Sequence, residues 1–264
     1  MIDSGSDPAL AAEAIVHPQF PRASRYDPRW QADNAMGPNP MWLAESLGEL
    51  MDLRPGMRVL DLGCGRAITS IFLAKEFDVR VVAADLWIQP GENWRRIEDA
   101  GVADRVTPLH AEAHDLKFAE DYFDAIVSLD AYHYFGTAEL YLSYILKFLR
   151  PGGQLGIVAP GVVEDVGEQV PWSLSRIWEP DLHVFHSPQW WRRHWGKTGL
   201  VEAIHADLLP DGWKHWLRWE KFGAVVASEE WREHCRDWAQ ALEADAGETL
   251  GFVRLTARKP VASG

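Results

Sequence analysis

Residues 57–65 read MRVLDLGCG, and this stretch decides the fold. Val59 and Leu60 belong to a short apolar run, Asp61 and Leu62 follow, and Gly63 and Gly65 then flank Cys64. The next residues, RAITSIFLAKEF, place Ile68, Ile71, Phe72 and Ala74 at helical spacing. The order is strand, tight glycine turn, helix. Glycine lets the backbone bend sharply there and lets a ligand approach with no Cβ in the way. The first amides of the helix have no intrahelical partner and face that ligand. Twenty-four residues after Asp61, the run VRVVAAD ends in Asp85. An acid at the tip of the second strand is placed to accept hydrogen bonds from ribose hydroxyls. A glycine turn alone is a weak signal, but strand, turn, helix, strand and acid in this order are far more specific.

Outward from this unit the pattern keeps alternating. Strands are expected at 57–62, 79–84, 105–110, 123–129 and 154–160, with helices at 67–77, 91–100 and 137–149 between them. Alternation of this kind argues for a parallel sheet covered by helices on both faces. Before the unit, Gly37, Pro38 and Pro40 force a constrained turn, and Pro40 opens a helix carrying Trp42, Leu43, Leu47 and Leu50 on its apolar positions. After it, 160–186 has no clear strand, and 187–199 reads as a helix capped by Ser187 with Pro188 at its first position. A sixth strand is expected at 200–209, helix over 211–247 and a seventh strand at 249–257. Residues 1–25, rich in Pro, Ala and Asp, read as a mobile tail, leaving 26–264 as a single domain.

Composition excludes several function classes. The 264 residues carry a formal net charge of −13, which disfavours a nucleic-acid backbone or an anionic membrane as partner. No apolar run approaches the ~20 residues that span a bilayer. The two cysteines, Cys64 and Cys235, lie in a turn and in an expected helix; no disulfide is expected, and a reducing cytoplasm fits. The histidines show no compact metal-ligand spacing, so no metal is expected. Fourteen tryptophans are the anomaly, eight of them between Trp172 and Trp219.

Four stretches carry a family resemblance. VLDLGCG, VVAAD, HAEAHDLKFAEDYFDAIVS and LKFLRPGGQLGI together resemble the class I S-adenosylmethionine-dependent methyltransferases. The resemblance is to the small-molecule branch, which includes ubiquinone- and sterol-type enzymes and the cyclopropane-fatty-acid-synthase-like group. It covers 57–159 well and the last two strands more loosely. It implies a Rossmann-like, mostly parallel seven-stranded sheet of order 3-2-1-4-5-7-6, with strand seven antiparallel. It also implies a cofactor, S-adenosylmethionine, along the carboxyl ends of strands one to four. On this resemblance Gly63, Cys64 and Gly65 lie against the methionine and ribose, and Asp61 orients the turn. Asp85 takes the ribose hydroxyls, Leu86 and Trp87 flank the adenine, and Glu112 and Ala113 meet its edge. Leu129 and Asp130 face the methionine end, and Met36 and Gly37 are expected as a cover. This chain departs from the family pattern at Ala67, where a third glycine is usual, and at Glu112, where Asp is usual.

A dinucleotide-dependent oxidoreductase shares the sheet, the turn and the acid. Its G-x-G-x-x-G would put the third glycine at position 68, which is Ile68 here. A cyclopropanating lipid-modifying enzyme and a cofactor-binding protein without chemistry compete with the methyltransferase reading as well. Within that reading, SLDAYHYFG follows strand four at the methyl end. His133 is the leading candidate for a general base, with Tyr132 and Asp130 beside it; the competing reading makes His133 a packed ring. The acceptor is expected to be a small apolar, aromatic or amine-bearing molecule, and the enzyme a monomer or homodimer. Lid insertions at about 160–186 and 211–247, rich in Trp172, Trp178, Trp213 and Trp219, are expected to cover it. Most of these tryptophans would nonetheless be core.

Overall fold

The computed structural model describes residues 8–167 and 169–261. Seven strands form one sheet: β1 (Arg58–Leu62), β2 (Arg80–Asp85), β3 (Val106–His110), β4 (Phe123–Leu129), β5 (Leu149–Val162), β6 (Glu202–Leu208) and β7 (Leu250–Arg258). Their order is β3-β2-β1-β4-β5-β7-β6. Pairs from β3 through to β5 are parallel, and β7 runs antiparallel to both its neighbours. This is the expected Rossmann-like sheet.

Alternation along the strands builds two cores. Val59, Val81, Ala83, Ala125 and Val127 face one side, and Leu60, Ala84 and Ile126 face the other. The first side is covered by α1 (Pro8–Glu13), α3 (Pro40–Gly48), α4 (Ile68–Phe77), α8 (Gly212–Val226) and α9 (Glu229–Asp245). The second carries α6 (Tyr141–Ile145) and α7 (Pro188–Gly196). Two further helices, α2 (Pro28–Asn34) and α5 (Pro90–Asp99), join the first side through Trp30, Ala32 and Ile97. Asn39 caps α3 through the N–H groups of Met41 and Trp42, and Ser187 caps α7 through Trp190.

Three expectations are corrected. Residues 8–25 are packed: Ala11, Ile15, Phe20 and Ala23 are buried. Glu45 of α3, itself buried, accepts hydrogen bonds from the N–H groups of Arg22 and Ala23 at 3.0 and 2.8 Å. Residues 1–7 of that segment lie outside the described residues. The helix expected over 137–149 shrinks to Tyr141–Ile145, because the chain enters β5 already at Leu149, paired with Phe123 ahead of a register shift. The helix expected over 211–247 breaks at Ala227, whose extended backbone separates α8 from α9.

Five of the fourteen tryptophans, Trp42, Trp191, Trp195, Trp216 and Trp219, are buried. Trp191 and Trp195 pack on Tyr132, and Trp216 stacks between Trp238 and Phe252. Trp87, Trp94, Trp172 and Trp231, by contrast, are exposed.

Candidate active site

A cavity of about 330 Å³ opens at the carboxyl ends of β1, β2 and β4. Of the expected site residues, Met36, Gly37, Gly63, Cys64, Gly65, Asp85, Leu86, Trp87, Glu112, Ala113, Leu129 and Asp130 all line it. Asp61, Tyr132 and His133 do not.

The glycine turn is shaped by its surroundings. Gly63 has φ +75°, and a Cβ there would stand 2.4 Å from the Cβ of Ala131. Ala67 takes φ +61° at the N-cap of α4. That left-handed conformation disfavours any side chain, which accounts for glycine being usual at this position. Asp61 lies beneath the turn, fully buried, and its Oδ2 accepts the hydroxyls of Thr69 and Ser70 in the first turn of α4. Its Oδ1 has no partner among the described residues. Burial pushes its carboxyl up to about 6, although the two hydroxyls act against that. Asp61 therefore positions α4 and the turn from below.

Asp85 closes the other side of the turn. Its Oδ2 accepts Gly65 N–H at 2.7 Å, and its Oδ1 accepts the N–H groups of Trp87 and Ile88 at 2.8 and 2.9 Å. A carboxylate offers about four acceptor positions, so one remains for a ligand hydroxyl. Leu86 and Trp87 border the cavity with 47% and 68% of their surface exposed. Apolar surface left open at a cavity mouth favours a flat apolar ligand group. Glu112 accepts both the N–H and the ring Nδ1 of His114, at 3.0 and 2.8 Å, and the side-chain bond holds its carboxyl below the usual range.

Sequence reading missed the network that holds the cover. Asn93 of α5 is buried and donates to the Gly65 carbonyl at 2.9 Å. Arg96 donates to Asn93 Oδ1 at 3.1 Å and to Asn34 Oδ1 at 2.7 Å. Arg66 donates to the Asp33 carbonyl at 2.9 Å. Residues 34–38 are thereby strapped over the glycine turn. From the far side, Trp219 of α8 donates Nε1 to the Gly37 carbonyl at 2.9 Å. The only signals for this in sequence were the Gly37–Pro38–Pro40 constraint and the polar Asn93–Arg96 spacing on an otherwise amphipathic helix.

Asp130 stands at the tip of β4 with φ +57°. Its Oδ2 lies against Gly37 so closely that a Cβ on Gly37 would be 2.3 Å away. Burial, reinforced by the negative charge of Glu220, pushes its carboxyl up to about 8. Glu220 does not line the cavity and acts on Asp130 through its charge. It is buried on α8, accepts Trp216 Nε1 at 3.0 Å, and burial lifts it to about 7. His133 is 1% exposed, packs on Tyr134 and Phe185, and its Nδ1 has no partner among the described residues. Burial drives it down to about 3, so it stays neutral. Tyr132 is buried against α7, and burial raises its phenol. Among the described residues no three His, Cys, Asp or Glu side chains cluster as metal ligands would.

Comparison with known proteins identifies the family. Residues 59–153 match a family model described as a methyltransferase domain. Methyltransferase GfsG of Streptomyces halstedii is 30% identical over 210 residues, covering 76% of this chain and 68% of the relative. The chain belongs to the class I S-adenosylmethionine-dependent methyltransferases. The 27-O-demethylrifamycin SV methyltransferase of Amycolatopsis mediterranei is 27% identical over 235 residues, 83% of each chain. Among solved structures, phosphoethanolamine N-methyltransferase 2 of Haemonchus contortus, in complex with S-adenosyl-L-methionine, aligns with a TM-score of 0.73 at 20% identity. It covers 95% of this chain, which spans 60% of that longer protein. No helix among the described residues is long and apolar enough to cross a membrane.

Proposed function

We propose that this chain methylates a hydroxyl group of a small molecule, with Asp130 as general base. The observation that carries the reading is the Asp130 carboxyl itself. It lines the cavity at the methyl end of the fold, has no cationic partner among the described residues, and is poised near neutrality at about 8. The printed name of the Amycolatopsis relative, a 27-O-demethyl compound's methyltransferase, supports oxygen as the acceptor atom.

The cavity residues fit S-adenosylmethionine. Gly63, Cys64 and Gly65 present backbone to its methionine and ribose, and Asp85 retains acceptor capacity for a ribose hydroxyl. Leu86 and Trp87 offer open apolar surface to the adenine, with Glu112 and Ala113 at its edge. Leu129 meets the methionine end, and Met36 and Gly37 roof the site. When bound, the cofactor supplies an electrophilic methyl on a positively charged sulfur. Asp130 accepts the acceptor's hydroxyl proton as the new C–O bond forms. The strap at 34–38, held by Arg96, Arg66 and Trp219, keeps water from that space. His133, neutral and outside the cavity, supports the loop after β4 through Tyr134 and Phe185. The lid role reduces to few aromatics: Trp87 lines the main cavity, while Trp178 and Trp190 border a smaller one of about 170 Å³. Both cysteines are free and buried, consistent with work in the cytoplasm.

The test uses methyl-labelled S-adenosylmethionine and pairs of small molecules that differ by one hydroxyl. Label should pass to the hydroxyl-bearing member alone, and Asp130→Asn should lower turnover by about 10²–10⁴-fold while still binding cofactor. Transfer to the deoxy members, or full activity in Asp130→Asn, would overturn the reading.

A further inference from the structure

The smaller cavity, of about 170 Å³, lies in the segment that follows β5. It offers roughly six waters' share of liquid volume, room for one six-membered ring. Asp165 and His186 line it side by side, and Val166, Trp178, Leu182 and Phe185 give it apolar and aromatic walls.

This space presents a negative charge without a fixed counter-ion. Asp165 accepts the N–H and the hydroxyl of Ser187, the cap of α7, at 3.0 and 3.1 Å. His186 Nδ1 stands 3.5 Å from Asp165, and burial holds that ring below its usual pKa, so it is mostly neutral at pH 7.5. No Lys or Arg lines the cavity. A carboxylate offers about four acceptor positions, and Ser187 and His186 engage three of them at most.

The chemistry of the walls selects among ligands. An anion is repelled by Asp165. A metal ion lacks a ligand set, since no three His, Cys, Asp or Glu side chains among the described residues cluster as metal ligands would. An uncharged ring leaves the carboxylate without a counter-ion. An alkylammonium meets both demands. Its N–H takes the open position on Asp165 in a charge-assisted bond, and its carbon skeleton lies on Val166, Leu182 and the rings of Trp178 and Phe185. The formal net charge of −13 also favours the approach of a cation.

We propose that this cavity is a second binding site, for the ammonium group of a ring-sized amine. It stands beside the main cavity. Phe185 packs on His133 at 5.4 Å between ring centres, and His133 packs at 4.1 Å on Tyr134, which lines the main cavity. The amine belongs either to the methyl acceptor or to a separate molecule; the chemistry that recognises it is the same.

Saturation-transfer NMR on the full chain at pH 7.5 tests this with three six-membered rings: cyclohexylammonium, cyclohexanol and cyclohexanecarboxylate. The ammonium should bind saturably in the millimolar range and weaken as salt is added. The alcohol should bind about tenfold more weakly and the carboxylate not at all. Asp165→Asn, which keeps an acceptor for Ser187, should weaken the ammonium about 10–100-fold, and Asp130→Asn should leave it unchanged. No binding of the ammonium, equal binding of the alcohol, or loss in Asp130→Asn alone would overturn the proposal. The three-ring comparison on the wild-type chain stands without any variant, and binding is read without turnover, so failure of the methyl-transfer reading is a separate result. In the labelled methyl-transfer assay, competition between cyclohexylammonium and a hydroxyl compound that takes label assigns the amine to the acceptor. Binding without competition assigns it to a separate molecule, and both outcomes uphold the site.

Discussion

Replacing Asp130 by Asn should stabilise the protein at alkaline pH while removing its activity. The folded chain lifts this carboxyl from 3.8 to about 8. A carboxyl raised in the folded state binds its proton more tightly there than in the unfolded chain. Stability is therefore greatest below the unfolded value, falls as pH rises toward the folded value, and is flat beyond it. The ceiling on that loss is about 6 kcal/mol once the group is ionised. Asp130 keeps some accessible surface at the cavity, and water there screens the charge, so about 2–4 kcal/mol is expected. Asn has nearly the same shape and no charge. For a chain of this size Asp130→Asn should raise Tm by about 5–10 °C at pH 8.5 and by much less at pH 5. Thermal melts of both proteins across pH 5–9, with urea unfolding at the two ends, measure it. A Tm difference that does not change with pH, or a variant less stable at pH 8.5, would refute the reasoning, because it would mean that Asp130 is an ordinary solvated acid.

Other residues make separate predictions. Glu45→Ala leaves the buried amides of Arg22 and Ala23 without acceptors; a loss of about 2–4 kcal/mol is expected, together with faster tryptic cleavage at Arg22 and Arg25. Arg96→Ala removes the link between Asn34 and Asn93 and should weaken cofactor binding about 5–10-fold in calorimetry, mostly through faster dissociation. His133→Ala should cost about 2 kcal/mol of stability through lost packing yet leave the pH at which turnover rises unchanged; a displaced pH profile would return His133 to the proton transfer.

The sheet was legible because its information is local. Each parallel strand between covering helices is a short apolar run, and the glycine turn with Asp85 fixes where the first two strands end. Even the strand order follows once the family pattern is seen. The elements misread are those set by distant contacts. Residues 8–25 look like a loose tail because their composition is plain, and the carboxylate that orders them lies on α3, more than twenty positions away. The helix before β5 looks long because its side chains are helix-compatible, yet pairing of Leu149 with Phe123 takes those residues into the sheet.

The site divides along the same line. The cofactor side is built from backbone at strand ends, and backbone position follows from topology; every expected cofactor residue except Asp61 borders the cavity. Catalytic chemistry depends on which side chains share a low-dielectric space, and that is decided by packing between segments remote in sequence. His133 carries the favourable intrinsic pKa, which made it the natural candidate, but burial removes its usefulness by driving it down to about 3. Asp130 has an unhelpful intrinsic value and is brought into range by the same force acting on the opposite charge type. Desolvation disfavours whichever form is charged, so it disarms a buried histidine and arms a buried acid. Glu220, ninety residues away on α8, adds its negative charge to that effect. The base we propose at this site is thus a property of the assembled fold, expressed through a residue whose intrinsic acidity alone does not favour the role.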